Sequence, residues 1–583
     1  MNNLRFGGSD VNQKLVLGHP SGLFILFFTE MWERFSYYGM RALFVLFLTS
    51  SLLDGGWGWP REHALALYGT YTSLVYLTPI LGGFIADRFT GYKWAVIAGA
   101  IIMTAGHASM AIEIHPFFMY MGLFLLVAGN GFFKPNMTSI ISEMYKDHED
   151  KKDGAFTIYY MGVNAGAFLG IMLCGYIGEK VGWSWGFGLA GIFMFFGMLQ
   201  FYLAQSIFGE IGNKPLKTKS SEVKVPEGDK LNPFTKLDLI FVAVCSLIGL
   251  VWIIDDPVST ISGFTIFNFE FAGYPGATVA IVLAVLLFFV LVVSRIIRYT
   301  PKVRDRMIAV AIFSFFTVFF WAAFEQAGGS MTIFARDYTN RLLTGNGAVI
   351  FDVFNTLLTV VPLGIITWVI AKLFQQTYGA YKGASAALAT SFIIIWGIVI
   401  WMLVKELSNP ETEVAASWFG ILNSFFIISF APLFSKIWES KYNPSASVKY
   451  ALGLILLGIG FGALAFGASG IPTGAQTASV SMIWLILAYL FHTLGELCLS
   501  PVGLSYLSKL VPARMIGLMF GVYYLAIAIG NKVAGTMGSK IDALTEEYSL
   551  SFFFLIFLIV PAAGGVLMII LNPVMKKLMH GVR

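Results

Sequence analysis

Four charges and two tyrosines crowd one short stretch, TEMWERFSYYGMR at residues 29–41. Glu30, Glu33, Arg34, Tyr37, Tyr38 and Arg41 recur at i, i+3, i+4, i+7, i+8 and i+11, a spacing that puts them on one face of a helix. Met31, Trp32, Phe35 and Gly39 fill the other side, which is expected to meet lipid. Three more charges stand alone in apolar runs: Lys134 in GNGFFKPN, Glu325 in WAAFEQAGG and Glu496 in HTLGELCLSPVG. A charge in hydrocarbon costs about 2.5–3.5 kcal/mol on insertion scales, so these groups must face protein or water. The plain reading of Glu30 and Arg34 is a structural pair along the helix. A second reading counts four acids (Glu30, Glu33, Glu325, Glu496) against three bases (Arg34, Arg41, Lys134), a set that one proton neutralises if all face one cavity. A buried carboxylate among competing cations can titrate near neutrality, which proton-coupled transport needs.

The elements that hold these residues are membrane spans. The 583 residues are 57% hydrophobic and 12% charged, far from the balance of a soluble domain. Apolar runs of roughly 18–25 residues, each able to cross a hydrocarbon layer about 30 Å thick, fall near 23–52, 64–86, 94–112, 117–142, 155–178 and 187–208. They continue near 237–254, 276–297, 307–335, 349–371, 385–404, 414–436, 449–468, 480–509, 516–538 and 551–572. Sixteen spans make this an all-α polytopic membrane protein, and the alternating ten-residue strands of a barrel are absent. Gly129, Gly131 and Pro135 around Lys134, and Gly495, Pro501 and Gly503 around Glu496, allow those helices to bend.

Polar breaks divide the chain into a six-helix block at 1–208, a segment at 209–306 and a second six-helix block at 307–583 interrupted by a further pair at about 340–412. The middle segment combines a linker carrying Lys214, Lys217, Lys219, Lys224, Lys230 and Lys236 with one inserted helix pair. With both termini cytoplasmic, basic clusters such as RIIRYTPKVRDR at 295–306 fall inside, and the joint holding Asp255, Asp256 and Glu270 falls outside. The first 22 residues do not resemble a secretory signal, so the first span is expected to be retained. Cys174, Cys245 and Cys498 lie far apart in apolar runs and are expected to act as small apolar side chains, without disulfide or metal. The net charge of +5 records orientation and calls for no nucleic-acid partner. Lys532 sits within a span with no role beyond snorkelling.

Four separated motifs resemble the proton-coupled oligopeptide transporter (POT) family of the major facilitator superfamily, in its bacterial form. EMWERFSYYG is similar to the family's first-helix motif, and FTIYYMGVNAGAF and GELCLSPVGLSYLSKLVP to its helix-five and helix-ten signatures. GGFIADRFTGYK, with Gly83, Asp87 and Arg88, resembles the superfamily's loop between helices two and three. The resemblance spans most of 20–208, 307–336 and 414–572. It implies two six-helix bundles around a central cavity that opens to each membrane side in turn. It also implies roles: Arg41 and Lys134 attract a peptide carboxylate, while Glu496, helped by Asn164 and Asn423, receives the amino terminus. Tyr37, Tyr38, Tyr76 and Tyr523 would line the pocket. Glu30, Glu33 and Arg34 match the proton-coupling motif, and Glu325 the helix-seven acid that pairs with the arginine at Arg41. The expected activity is proton-coupled symport of di- and tripeptides across the cell inner membrane, with the proton as coupling ion, no cofactor and a monomeric carrier in lipid.

Three departures stand against the family pattern: Tyr523 where a Trp is usual, Ser424 rather than Pro after Asn423, and the extra pair at 340–412. That pair, nearly free of deep charge, is expected as a peripheral hairpin in which Asn355 and Ser391 hydrogen-bond between helices. Rival readings are a carrier of another small anion or modified amino acid, a non-transporting peptide sensor, and an intramembrane enzyme. The last would have to conscript Ser500 or His492, which no partner supports, so the chain is not expected to be an enzyme.

Overall fold

The computed structural model describes residues 6–214, 232–409, 411–512 and 515–582. Most of the expected linker, with Lys217, Lys219, Lys224 and Lys230, lies outside the described residues. Sixteen long helices follow in order: α1 Ser21–Thr49, α2 Arg61–Ile85, α3 Tyr92–Met110, α4 Pro116–Met144, α5 Glu149–Lys180, α6 Trp183–Ala204, α7 Lys236–Ser262 and α8 Gly276–Ile297. After these come α9 Pro301–Phe324, α10 Asn346–Thr377, α11 Lys382–Leu407, α12 Ile421–Glu439, α13 Ala446–Gly467, α14 Ile483–Leu510, α15 Ile516–Gly538 and α16 Leu550–Leu578. Among the described residues, fourteen helical segments are long and apolar enough to cross a membrane. The two long helices not among them are α1, with four charges in its 29 residues, and the 19-residue α3, which contains Lys93 and His107. The chain is a polytopic helical membrane protein.

Two compact units interleave along the sequence. The first takes Met1–Trp57, Leu77–Leu216 and Thr332–Ile428. In it α1 is buried among α5 and α6, while α3 packs on α4 and α6. The apolar face of α1 does not meet lipid: Met31, Trp32 and Phe35 are fully buried. Glycines on α5 explain this. A Cβ at Gly166 would strike the Met31 carbonyl and one at Gly170 the Phe35 backbone, so the two helices run at near-backbone contact. Trp32 stacks on Phe193 of α6 with ring centroids 4.7 Å apart. Apolar composition cannot separate a lipid face from a helix-packing face, because hydrocarbon and a neighbouring helix are equally apolar.

The hairpin α10–α11 belongs to this first unit, although it interrupts the second block of the sequence. Phe392 lies against Trp32 (5.3 Å) and Phe28 (6.0 Å), and the Tyr176 hydroxyl donates to Glu406. A short antiparallel ladder of Leu342–Thr344 on Glu411–Glu413 closes the base, where Glu413 pairs with Lys180 (2.7 Å) and Arg341 (3.0 Å). Ser391 differs from its expected interhelical role, because its hydroxyl donates to the Leu388 carbonyl of its own helix. The bond between the two helices runs instead from Trp396 Nε1 to Thr367 Oγ1, at 3.0 Å.

The second unit takes Gly58–Tyr76, Lys217–Met331 and Ser429–Arg583, so α2 contributes to both. Here α13 packs along α14 and α16, and α9 meets α15 and α16. The hairpin α7–α8 packs chiefly on itself and leaves Leu247, Leu286 and Phe289 exposed. Asp238 ties its two ends through Arg298 (2.7 Å) and Arg295 (3.1 Å). α7 runs past the expected end at 254 to Ser262, and Asp255 and Asp256 are therefore helical rather than part of an open loop. The helix can continue because both carboxylates are satisfied: Asp255 accepts from Thr265 Oγ1 and the Ile266 N–H, and Asp256 pairs with Lys532.

The α1–α5 contact yields a paired expectation. Gly170→Val forces apart two backbones and should cost at least about 1–3 kcal/mol, visible as lost monodisperse protein and a lower melting temperature. Gly364→Ala on α10, where an added Cβ meets nothing within 4 Å, should leave both unchanged.

Candidate functional site

The charges of α1 form one bonded group inside the first unit. Arg34 holds Glu33 through two nitrogens, Nε to Oε2 and Nη2 to Oε1 (2.7 Å). Its Nε also lies 3.2 Å from Glu30 Oε1, one turn earlier. Two neighbours complete the group: the Tyr159 hydroxyl of α5 donates to Glu30 Oε2 at 2.5 Å, and Asn130 Nδ2 of α4 donates to Glu33 Oε1 at 3.2 Å. Glu30, Glu33 and Arg34 expose 3%, 0% and 4% of their surface, so all three are shielded from bulk solvent. Two carboxylates therefore share one directly bonded guanidinium in a buried site, with Lys134 within electrostatic reach of Glu30. Among the directly bonded groups the carboxylates outnumber the guanidinium, and the Tyr159 hydroxyl and Asn130 amide supply the further donors their oxygens accept.

The rest of the α1 stripe continues beside this group. The Arg34 guanidinium lies 5.2 Å from the Tyr37 ring centre and that of Arg41 5.8 Å from Tyr38, while the two tyrosine rings meet edge to face. Lys134, one turn beyond Asn130 on α4, is half-buried. The Asn164 amide donates to the Tyr160 carbonyl of its own helix, and Asn423 is half-buried near the start of α12. Gly83 lies near Pro135, and the exposed Arg88 stacks on Phe84 at 4.3 Å in a π-helical turn that includes Asp87.

Within the second unit, Glu325 is buried in the turn that ends α9 and accepts from the Tyr68 hydroxyl at 3.1 Å. Tyr76 neighbours the rings of Trp321 (6.2 Å) and Tyr524 (6.5 Å). Tyr523 is buried, and its hydroxyl bonds that of Tyr450, which in turn lies 3.3 Å from Thr317 Oγ1. Glu496 is half-buried on α14. His492, one turn earlier, packs its ring 4.4 Å from that of Phe461, with no hydrogen-bond partner for either nitrogen among the described residues. It is a packed histidine.

The sequence model of the POT family matches residues 93–225 and 388–552. An uncharacterized transporter of Bacillus subtilis is 31% identical over 574 residues, covering 98% of this chain and 97% of its own. The chain belongs to the POT family. A di-/tripeptide transporter of Lactococcus lactis is 28% identical, over 98% of this chain and 99% of its own. Among solved structures, a peptide transporter POT in complex with alafosfalin superimposes with a TM-score of 0.69 at 28% identity, covering 98% of each chain.

The matched POT segments contain Asn130, Lys134, Tyr159, Asn164, Asn423, Glu496 and Tyr523, while the α1 stripe lies before them. Tyr159 and Asn130 escaped the sequence reading although each sits inside a motif already singled out, FTIYYMGVNAGAF and GNGFFKPN. Their signal was an uncharged donor about one turn from a family position. Tyr68 and Tyr450 carried no signal, being two of 24 tyrosines.

Removing the shared cation and removing one donor should differ sharply in this POT member. Arg34→Ala strands two buried carboxylates, a loss of about 3–5 kcal/mol, and should abolish the folded, monodisperse protein. Tyr159→Phe deletes one hydrogen bond to a carboxylate, about 1.5–3 kcal/mol, and should lower the melting temperature while the protein stays folded. Equal melting temperatures for Arg34→Ala and wild type would contradict the bonded arrangement.

Proposed function

We propose that this chain is a proton-coupled symporter that imports di- and tripeptides across the cytoplasmic membrane by alternating access, with both termini cytoplasmic and the proton as coupling ion in place of any cofactor. The observation that carries this reading is the buried Glu30–Glu33–Arg34 group with its donors Tyr159 and Asn130, in a member of a family with a di-/tripeptide transporter. In this reading the excess carboxylate takes up the proton, and Glu325 joins the coupling set.

Arg41 and Lys134 attract the peptide carboxylate, and Glu496, helped by Asn164 and Asn423, receives the amino terminus. Reading only the two ends leaves side chains unspecified and gives broad selectivity. Tyr37, Tyr38, Tyr76 and Tyr523 shape the pocket, and Gly83, Asp87 and Arg88 form the superfamily loop. The carrier works as a monomer in lipid.

Uptake of a dialanine-type peptide into proteoliposomes, with and without an inward proton gradient, tests the reading. Wild type should accumulate peptide only with the gradient. Lys134→Ala and Glu496→Gln should each abolish gradient-driven uptake while the protein remains folded, and wild-type uptake in both would overturn the anchor roles. Glu33→Gln should lose accumulation yet retain counterflow, because the amide keeps the site's shape without cycling a proton. Stable peptide binding without any translocation would favour the sensor reading instead.

A further inference from the structure

Lys532 is a buried lysine in the C-terminal half of α15, 2% exposed, and no part of the proposed transport chemistry uses it. Its ammonium is nevertheless saturated. Nζ lies 2.5 Å from Asp256 Oδ2 on α7, donates to Thr70 Oγ1 on α2 at 2.7 Å, reaches the Ile253 carbonyl at 3.4 Å and sits 5.6 Å from the Trp252 ring centre. Thr70 completes the junction, because its hydroxyl donates to the same Ile253 carbonyl at 3.0 Å. Three elements thus meet at one polar knot: the inserted hairpin, α15 and the N-terminal half of α2.

The surroundings explain why this knot decides where the hairpin sits. α7 is apolar and little buried, and in lipid an apolar helix gains almost nothing by leaving one apolar environment for another. A buried ammonium without its partner is costly, so the Asp256–Lys532 pair fixes the hairpin on α15. One turn away the α2 and α15 backbones touch: a Cβ at Gly69 would lie 2.5 Å from the Gly535 Cα, and Asn531 Nδ2 donates to the Thr72 carbonyl at 3.3 Å. Thr70 therefore reaches hairpin and α15 together only while α2 lies against α15.

We propose that the α7–α8 hairpin is a conformational clamp, in which Asp256 and Lys532 anchor it to α15 and Thr70 makes its grip specific for the state with α2 docked on α15. Separation of the N-terminal half of α2 from α15 breaks both Thr70 bonds and leaves the Asp256–Lys532 anchor intact. The hairpin then stays with α15 and biases the carrier toward the docked state. For its part in transport the inference rests on the alternating-access reading above.

The test measures opening without transport. In a Thr72→Cys background, a fully buried position whose backbone carbonyl accepts from Asn531 of α15, the rate of modification by a water-soluble maleimide reports how often that contact opens. Mass spectrometry of the peptide containing residue 72 separates it from the native cysteines. Thr70→Val, which keeps shape and removes the hydroxyl, should raise that rate about fivefold, the effect of losing a hydrogen bond. Asp256→Asn should raise it in the same direction, and if that variant does not fold, Thr70→Val decides alone. An unchanged rate in Thr70→Val overturns the clamp. Labelling needs neither peptide nor gradient, so a failure of peptide uptake in the unmodified protein would overturn the transport reading and leave the clamp result standing.

Discussion

Two carboxylates and one guanidinium are bonded to one another at a site buried from bulk solvent, and burying these charges organises the first unit. The ions cannot sit in hydrocarbon, so α1 must lie inside the unit, enclosed by α4, α5 and α6, whose Asn130 and Tyr159 supply the donors the guanidinium lacks. Enclosure in turn demands close helix approach. The glycines at 166 and 170 on α5 permit it, because any side chain there would meet the α1 backbone. Cys174 fills the next turn of the same seam opposite Gly39. Fold and chemistry thus depend on one another: the small residues exist to bring the donors to the charges, and the charges fix which face of α1 the small residues must admit.

The two inserted hairpins obey the same physics with different partners. Apolar burial alone holds neither in a lipid environment, so polar contacts fix each. The α10–α11 pair is held in the first unit by Glu406 on Tyr176 and Glu413 on Lys180 and Arg341, and the α7–α8 pair in the second by Asp256 on Lys532. Each hairpin therefore stays with one unit, whatever its place in the chain.

Charge and periodicity were legible in the sequence because they are local. The stripe from Glu30 to Arg41 could be read as one face, and apolar length places fourteen of the sixteen long helices, α1 and α3 carrying too much charge or too little length to stand out by it. Partners across space were not legible. Nothing in the spacing of Met31, Trp32 and Phe35 distinguishes lipid from α5, and nothing near Lys532 points to Asp256, 276 residues away. The end of α7 was misjudged because two adjacent aspartates suggest a loop unless their partners are known. Tyr159 and Asn130 lay in recognised motifs, yet their role required the position of Glu30 and Glu33 in three dimensions.

The central claim is that the excess carboxylate of the Glu30–Glu33–Arg34 group carries the coupled proton. The most direct measurement is peptide-driven proton entry, read with a pH-sensitive dye trapped inside proteoliposomes as dialanine is added outside with no imposed gradient. Peptide should acidify the interior of wild-type vesicles, and Glu33→Gln, which leaves Arg34 its Glu30 partner, should leave the interior pH flat while labelled peptide still exchanges. Acidification at the wild-type rate in Glu33→Gln would contradict that assignment.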